Sequence, residues 1–66
     1  MTIVVNGVSR SYAAGATIAS VVADVAGDRS GVAVAVNGEV VRRGAWSNTS
    51  LCERDTVEVL TAVQGG

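Results

Sequence analysis

The sequence contains no histidine, lysine or proline, and it has a single cysteine, Cys52. Without histidine, the side chain that most often serves as general base and metal ligand is missing. One cysteine cannot form a disulfide within the chain, so we expect Cys52 to be a small, partly buried apolar residue, as free cysteines usually are. A self-sufficient catalytic site is therefore not expected: we predict no catalytic residue, no metal site and no bound cofactor.

Basic residues are few and are not clustered. The chain has five arginines and six acidic residues, a formal net charge of −1, and only Arg42 and Arg43 are adjacent. Nucleic-acid binding normally requires clustered lysines and arginines. No apolar run approaches the length of a membrane-spanning helix, and Met1 leads directly into strand-like sequence rather than into a signal peptide. We expect a cytoplasmic protein that binds neither nucleic acid nor membrane.

Valine and alanine dominate instead. The 66 residues are 48% hydrophobic and only 3% aromatic, which is typical of a small folded domain rich in β-structure rather than of a disordered chain. A chain of this length buries roughly 60% of the surface that it exposes when unfolded, so the core is thin.

Two Asn-Gly pairs, Asn6-Gly7 and Asn37-Gly38, predict tight hairpin turns, because a type I′ turn requires positive φ at both central residues. The strands predicted around them are Thr2–Val5 with Val8–Ala13, and Val32–Val36 with Glu39–Val41. In the third strand valine and alanine alternate, which predicts valine toward a helix and alanine toward the opposite face.

A helix is predicted between the hairpins. Ile18, Val21, Val22 and Val25 recur at helical spacing and lie on one face. Thr17 is the predicted N-cap, and Gly27 is predicted to follow the last turn in the left-handed conformation. Because the helix is rich in valine, its intrinsic propensity is weak and it should depend on packing against a sheet.

An irregular stretch, residues 42–50, is predicted next, with Trp46 as a plug in the core beneath it. The last predicted strand is Thr56–Ala62, with Val57 on one face and Leu60 on the other. The order is β-β-α-β-β-β, which predicts an α+β grasp: a mixed sheet of about five strands crossed by one helix. We expect the first and last strands to pair in parallel at its centre.

After the domain of residues 1–62 we expect a flexible C-terminal tail, Val63-Gln64-Gly65-Gly66. Gly65 and Gly66 lack a Cβ, so their backbone could lie in a narrow channel. Four extended residues reach roughly 13 Å, at about 3.3 Å per residue. The tail is therefore predicted to enter a partner's active site and to place its terminal carboxylate there.

Several segments, taken together, match the pattern of one family. They are Val34–Val41, Arg43, Trp46, Leu51, Asp55, Val57–Leu60 and the ending Thr61–Gly66. The chain resembles the ThiS family, the sulfur carrier proteins of thiamin biosynthesis with a ubiquitin-like β-grasp fold. The resemblance implies that a ThiF-like adenylyltransferase adenylates Gly66, with ATP as its substrate. The adenylate would become a thiocarboxylate, with sulfur drawn ultimately from a cysteine desulfurase, and thiazole synthase, ThiG, would receive the sulfur. The chain would thus be a protein co-substrate and not an enzyme.

Two positions depart from the family pattern. Arg42 stands where the family often has proline, and Arg54 where it commonly has glycine before Asp55. If the turn requires positive φ at Arg54, the arginine costs roughly 1 kcal/mol relative to glycine. Neither change affects the tail.

The residues alone leave alternatives open. A MoaD-like subunit of molybdopterin synthase or a carrier for cysteine synthesis would share the fold, but MoaD-like tails usually contain proline. A ubiquitin-like protein modifier and a TGS-like binding module are further possibilities, and a thiol relay through Cys52 is another. A partner surface is also predicted: Leu60 and Ala62 should lie beside the tail on the sheet face opposite the helix, where exposed apolar side chains often mark interaction sites.

Overall fold

A computed structural model of the chain describes residues 1–27 and 30–62. Its elements are β1 (Thr2–Val5), β2 (Val8–Ser11), α1 (Ile18–Val25), β3 (Val32–Val36), β4 (Glu39–Val41), a 3₁₀ helix (Arg43–Asn48) and β5 (Thr56–Thr61). The predicted order is confirmed. The second strand ends two residues earlier than predicted and the last strand one residue earlier.

The five strands form one mixed sheet in the order β2-β1-β5-β3-β4. β1 and β5 are parallel, with Val5 opposite Val57, and the other neighbours are antiparallel. The α+β grasp with parallel first and last strands is therefore confirmed. Since β5 lies at the centre of the sheet, the chain beyond it departs from the middle of the domain rather than from an edge strand.

Both Asn-Gly pairs form the predicted turns, with all four residues at positive φ: Asn6 (50°), Gly7 (82°), Asn37 (51°) and Gly38 (85°). Each asparagine side chain also holds β5. The Oδ1 of Asn6 accepts from the Val59 N–H at 2.8 Å, while its Nδ2 donates to the Val59 carbonyl. The Oδ1 of Asn37 accepts from the Thr56 N–H at 3.0 Å. The two turns therefore anchor the strand that precedes the tail.

α1 begins as predicted, because the Thr17 side chain accepts a hydrogen bond from the Ser20 N–H. Gly27 follows the helix with a φ of 60°. The core is a single apolar cluster between α1 and one face of the sheet. Its buried members include Ile3, Val5, Ile18, Val21, Val22, Val34, Val57 and Val59.

The stretch 42–50, predicted to be irregular, contains a 3₁₀ helix, so that prediction was wrong in part. Trp46 is only 6% exposed, which confirms it as a core plug, and its indole Nε1 donates to the Val41 carbonyl at 2.8 Å. The Ala45 N–H donates to the Arg42 carbonyl. The buried indole ring and these local hydrogen bonds stabilise the 3₁₀ helix. Its six residues are too few to show a periodic spacing of apolar side chains, so the sequence did not predict it.

The prediction that Cys52 is partly buried was wrong, because its side chain is exposed. Leu51 fills the core position before it and is 5% exposed. The chain then turns at once, and the Cys52 N–H donates to Asp55 Oδ2 at 2.7 Å. A side chain at the first position of this turn faces away from the core.

The turn before β5 holds Arg54 at a φ of 67°, and this gives a stability prediction. A left-handed conformation costs a non-glycine residue about 1–2 kcal/mol. Glycine removes this strain, but it also raises the conformational entropy of the unfolded chain, which offsets part of the gain. Arg54→Gly should therefore raise the free energy of unfolding by about 0.5–1 kcal/mol, or the Tm by about 4 °C. Urea and thermal unfolding measure this. Arg54→Ala is the control: it removes the exposed side chain but retains the strain, and should change stability by less than about 0.5 kcal/mol. Equal stabilities for the two variants would contradict the prediction.

Candidate functional site

The predicted tail residues, Val63, Gln64, Gly65 and Gly66, lie outside the described part of the chain. The structure does define the point from which they continue. Ala62 follows the central strand β5, and its N–H donates to the Gly31 carbonyl at 2.9 Å. This hydrogen bond extends the β3–β5 pairing by one step, so the last described residue is held against the start of β3.

The other predicted site residues, Leu60 and Ala62, are both exposed. Leu60 is 66% exposed, whereas Val57 and Val59 of the same strand are buried beneath α1. Because successive side chains of a strand point to opposite faces, Leu60 lies on the sheet face that the helix leaves open. Both residues are exposed, as expected, and their role as a partner surface stays a prediction.

Leu60 has apolar neighbours on this open face. It pairs with Ala33 of β3, and Ala35 of the same strand pairs with Val40 of β4, which is 83% exposed. We define the outer patch as Ala33, Ala35, Val40, Leu60 and Ala62. The exposed carboxylate of Glu58 lies opposite Ala35 on the same face and borders the patch. Exposed apolar groups of this kind are suited to contact with another protein.

Sequence reasoning missed Val40, although a signal for it was present. A two-residue turn at Asn37-Gly38 sets Val36 opposite Glu39, and hence Ala35 opposite Val40. Reading that register would have placed Val40 on the same face as Leu60. Gly31 was also missed, because its contact with Ala62 joins residues that are distant in the sequence.

The described residues also include one cluster of polar side chains that could be mistaken for a reactive site. The Tyr12 hydroxyl donates to Asp24 Oδ2 at 2.9 Å, and Arg10 lies 3.5 Å from the same oxygen. Partial burial raises the pKa of the Tyr12 phenol above its usual value, and the hydrogen bond and charge of Asp24 raise it further. These contacts join the β2 side of the sheet to α1, so the cluster serves the fold.

Two further findings concern other classes of site. Within residues 1–27 and 30–62, no three side chains among histidine, cysteine, aspartate and glutamate are grouped so that they could hold a metal ion. Of the helices in those same ranges, none has the length and apolar character needed to cross a bilayer.

Comparison with known proteins decides among the families that share this fold. Residues 3–66 match the ThiS family. The chain belongs to the ThiS family. The crystal structure of the thiamine biosynthesis protein ThiS from Geobacter metallireducens is 31% identical to it, with all of both chains covered and a TM-score of 0.80. A comparison with curated proteins found no match.

ThiS membership confirms the resemblance and the ubiquitin-like β-grasp fold. The match runs through residue 66, so the family pattern includes the four residues beyond the described domain. Membership supports a sulfur carrier in thiamin biosynthesis over a catalyst that works alone. It also makes the enzymes of that pathway the relevant class of partner.

Proposed function

We propose that this chain is a sulfur carrier protein whose terminal residue, Gly66, is adenylated and then converted to a thiocarboxylate that donates sulfur for thiazole formation in thiamin biosynthesis. The observation that carries the proposal is the match to the ThiS family through residue 66. The full-length similarity to a thiamine biosynthesis protein supports it.

The chemistry requires activation because a carboxylate is a poor electrophile. An oxygen of the Gly66 carboxylate attacks the α-phosphorus of ATP, and pyrophosphate leaves, which produces an acyl-adenylate. Hydrosulfide attacking the acyl carbon displaces AMP, which leaves with the bonding electrons, and gives the thiocarboxylate directly. If the sulfur arrives as a persulfide, the product is an acyl disulfide, and a second thiol must attack its S–S bond, forming a disulfide with the donor and releasing the thiocarboxylate. Dividing a difficult substitution into two easier steps is the logic of covalent catalysis. In this scheme the carrier is a co-substrate and the partner enzymes supply the catalytic groups.

The proposed partners are a ThiF-like adenylyltransferase for activation, a cysteine desulfurase as indirect sulfur source, and thiazole synthase, ThiG, as acceptor. The outer patch supports this scheme, because four of its five residues are exposed and it includes Ala62, from which the tail continues. A partner that covers Leu60 and Ala62 would receive Val63–Gly66 in the same encounter, with a reach of roughly 13 Å. A cytoplasmic location, where ATP is plentiful, is part of the proposal.

Mass spectrometry after incubation with ATP, a ThiF-like enzyme and a sulfur source tests the proposal. Trypsin should cut after Arg54 and release the peptide Asp55–Gly66, which contains no Met, Trp or Cys. An oxygen-to-sulfur exchange on it is therefore not easily confused with side-chain oxidation. We expect that mass shift, its dependence on ATP, and transfer of the sulfur to product by ThiG.

Two other results would contradict the proposal. Sulfur found on Cys52 with an unmodified tail would indicate a thiol relay. An unmodified chain in the presence of a demonstrably active enzyme would favour a binding module. If the tail is loaded with sulfur but ThiG does not accept it, the chain would be a sulfur carrier of another pathway, such as that of a MoaD-like protein.

A further inference from the structure

Gly31 lies against Ala62 at the end of β5, and the contact leaves no room for a side chain. Its φ is 70°, and a Cβ built on it would lie 2.9 Å from the Cβ of Ala62. The Gly31 carbonyl also accepts the Ala62 N–H at 2.9 Å. Gly31 comes directly before β3, so this one residue fixes the last described residue of the chain against the neighbouring strand.

Turn geometry alone does not account for this glycine. At the other described glycines, an added Cβ would have no atom within 4 Å, even though Gly7, Gly15, Gly27 and Gly38 have a positive φ as well. Those four positions require a backbone conformation and nothing more. Gly31 requires the conformation and also the absence of a side chain, because Ala62, from which the tail continues, lies where that side chain would be.

We propose that Gly31 is a positioning residue for the activation of Gly66: the absence of its side chain lets Ala62 lie against β3 and sets the direction in which residues 63–66 leave the domain. This inference rests on the proposed function. A Cβ at position 31 would push Ala62 away by several tenths of an ångström or turn its backbone. When the domain is docked and the tail is held extended in the partner's channel, a displacement of Ala62 is passed on to the Gly66 carboxylate.

The expected kinetic signature follows from that geometry. Of the outer patch the substitution displaces only Ala62, a small residue, and leaves Leu60 and Val40 in place, so binding to the activating enzyme should change little, whereas the carboxylate is misplaced relative to ATP. A misplacement of 1 Å far from the chemistry can cost about 100-fold in rate. For Gly31→Ala we therefore expect kcat for adenylation to fall about tenfold while KM changes by less than about twofold.

A double-mutant cycle with Ala62→Gly tests the contact itself, because that change removes the methyl group that a side chain at position 31 would meet. In the Ala62→Gly background, Gly31→Ala should lower kcat by less than about twofold, although the strain at positive φ remains. Gly38→Ala is the matched control. It places alanine at a φ of 85° with nothing within 4 Å, at the opposite end of β3. We expect its Tm to fall somewhat less than that of Gly31→Ala, because only the backbone conformation is strained, with unchanged adenylation kinetics.

Amide hydrogen exchange gives a readout without the enzyme: the Ala62 N–H should exchange faster in Gly31→Ala than in wild type, and Gly38→Ala should leave it unchanged. The inference is overturned if Gly31→Ala and Gly38→Ala have equal kinetics, or if Gly31→Ala loses as much activity in the Ala62→Gly background as in the wild-type chain. If Gly31→Ala does not fold, the chain that carries both substitutions, compared with Ala62→Gly alone, decides the same point. A wild-type chain that is never adenylated would instead overturn the proposed function, and this inference with it.

Discussion

Deleting Gly66 should abolish adenylation and sulfur loading while leaving the fold and the Tm unchanged. The shortened chain still ends in a glycine carboxylate, but that carboxylate lies about 3.3 Å nearer the domain. An enzyme that holds ATP in a fixed place gains rate by near-attack geometry, and a 1 Å error can cost about 100-fold. We therefore expect kcat/KM to fall by more than about 100-fold, to the assay background. Pyrophosphate release and the mass of the C-terminal tryptic peptide, which begins at Asp55, measure it.

Deleting Gln64 instead of Gly66 separates reach from the chemistry of the two glycines. This variant is shortened by the same length but retains Gly65-Gly66 at its end. If reach is decisive, both deletions lose activity equally; if the enzyme recognises only the terminal glycines, the Gln64 deletion remains active. Gly65→Ala keeps the full length and adds one Cβ, which a narrow channel would reject. Full activity of the Gly66 deletion would contradict the role of Gly66.

Most of the fold was predictable because its signals are local. The two Asn-Gly pairs required positive φ, and the structure has it at all four residues. Thr17 before an apolar face predicted the start of α1, and its side chain caps the helix. The alternation in β3 predicted which side chains are buried: Val34 is in the core, and Ala33 is exposed. Each of these signals depends on residues that are close together in the sequence.

The features that were missed depend on distant residues or on a single side chain. The exposure of Cys52 follows from Leu51 filling the core position and from a turn closed by Asp55. The prediction for Cys52 relied on the general tendency of free cysteines to be buried, which takes no account of the turn that follows Leu51. The contact between Gly31 and Ala62 exists only because β3 and β5 are neighbours in the sheet. For the candidate site, sequence placed Leu60 and Ala62 on the open face, but the extent of the outer patch required the strand register.

Leu60→Glu should weaken activation by the ThiF-like enzyme without unfolding the domain. The side chain is 66% exposed, so replacing it removes little from the core. A partner that covers the outer patch would bury the new carboxylate in an apolar contact, close to Glu58 on the same face. Burying an uncompensated polar or charged group in such a contact costs about 2 kcal/mol. We therefore expect KM for the carrier to rise about thirtyfold, with kcat reduced much less.

Val8→Glu is the matched control for that substitution. Val8 is also largely exposed, at 56%, but it pairs with Val5 on the helix side of β2, at the edge of the sheet. Val8→Glu introduces the same charge at a position outside the outer patch, so KM for the carrier should stay within about twofold of wild type. Circular dichroism and Tm values verify that both variants fold. An unchanged KM for Leu60→Glu, or equal losses in both variants, would contradict a docking surface at the outer patch. Loss confined to Leu60→Glu would mean that the enzyme binds the open face of the sheet beside the tail.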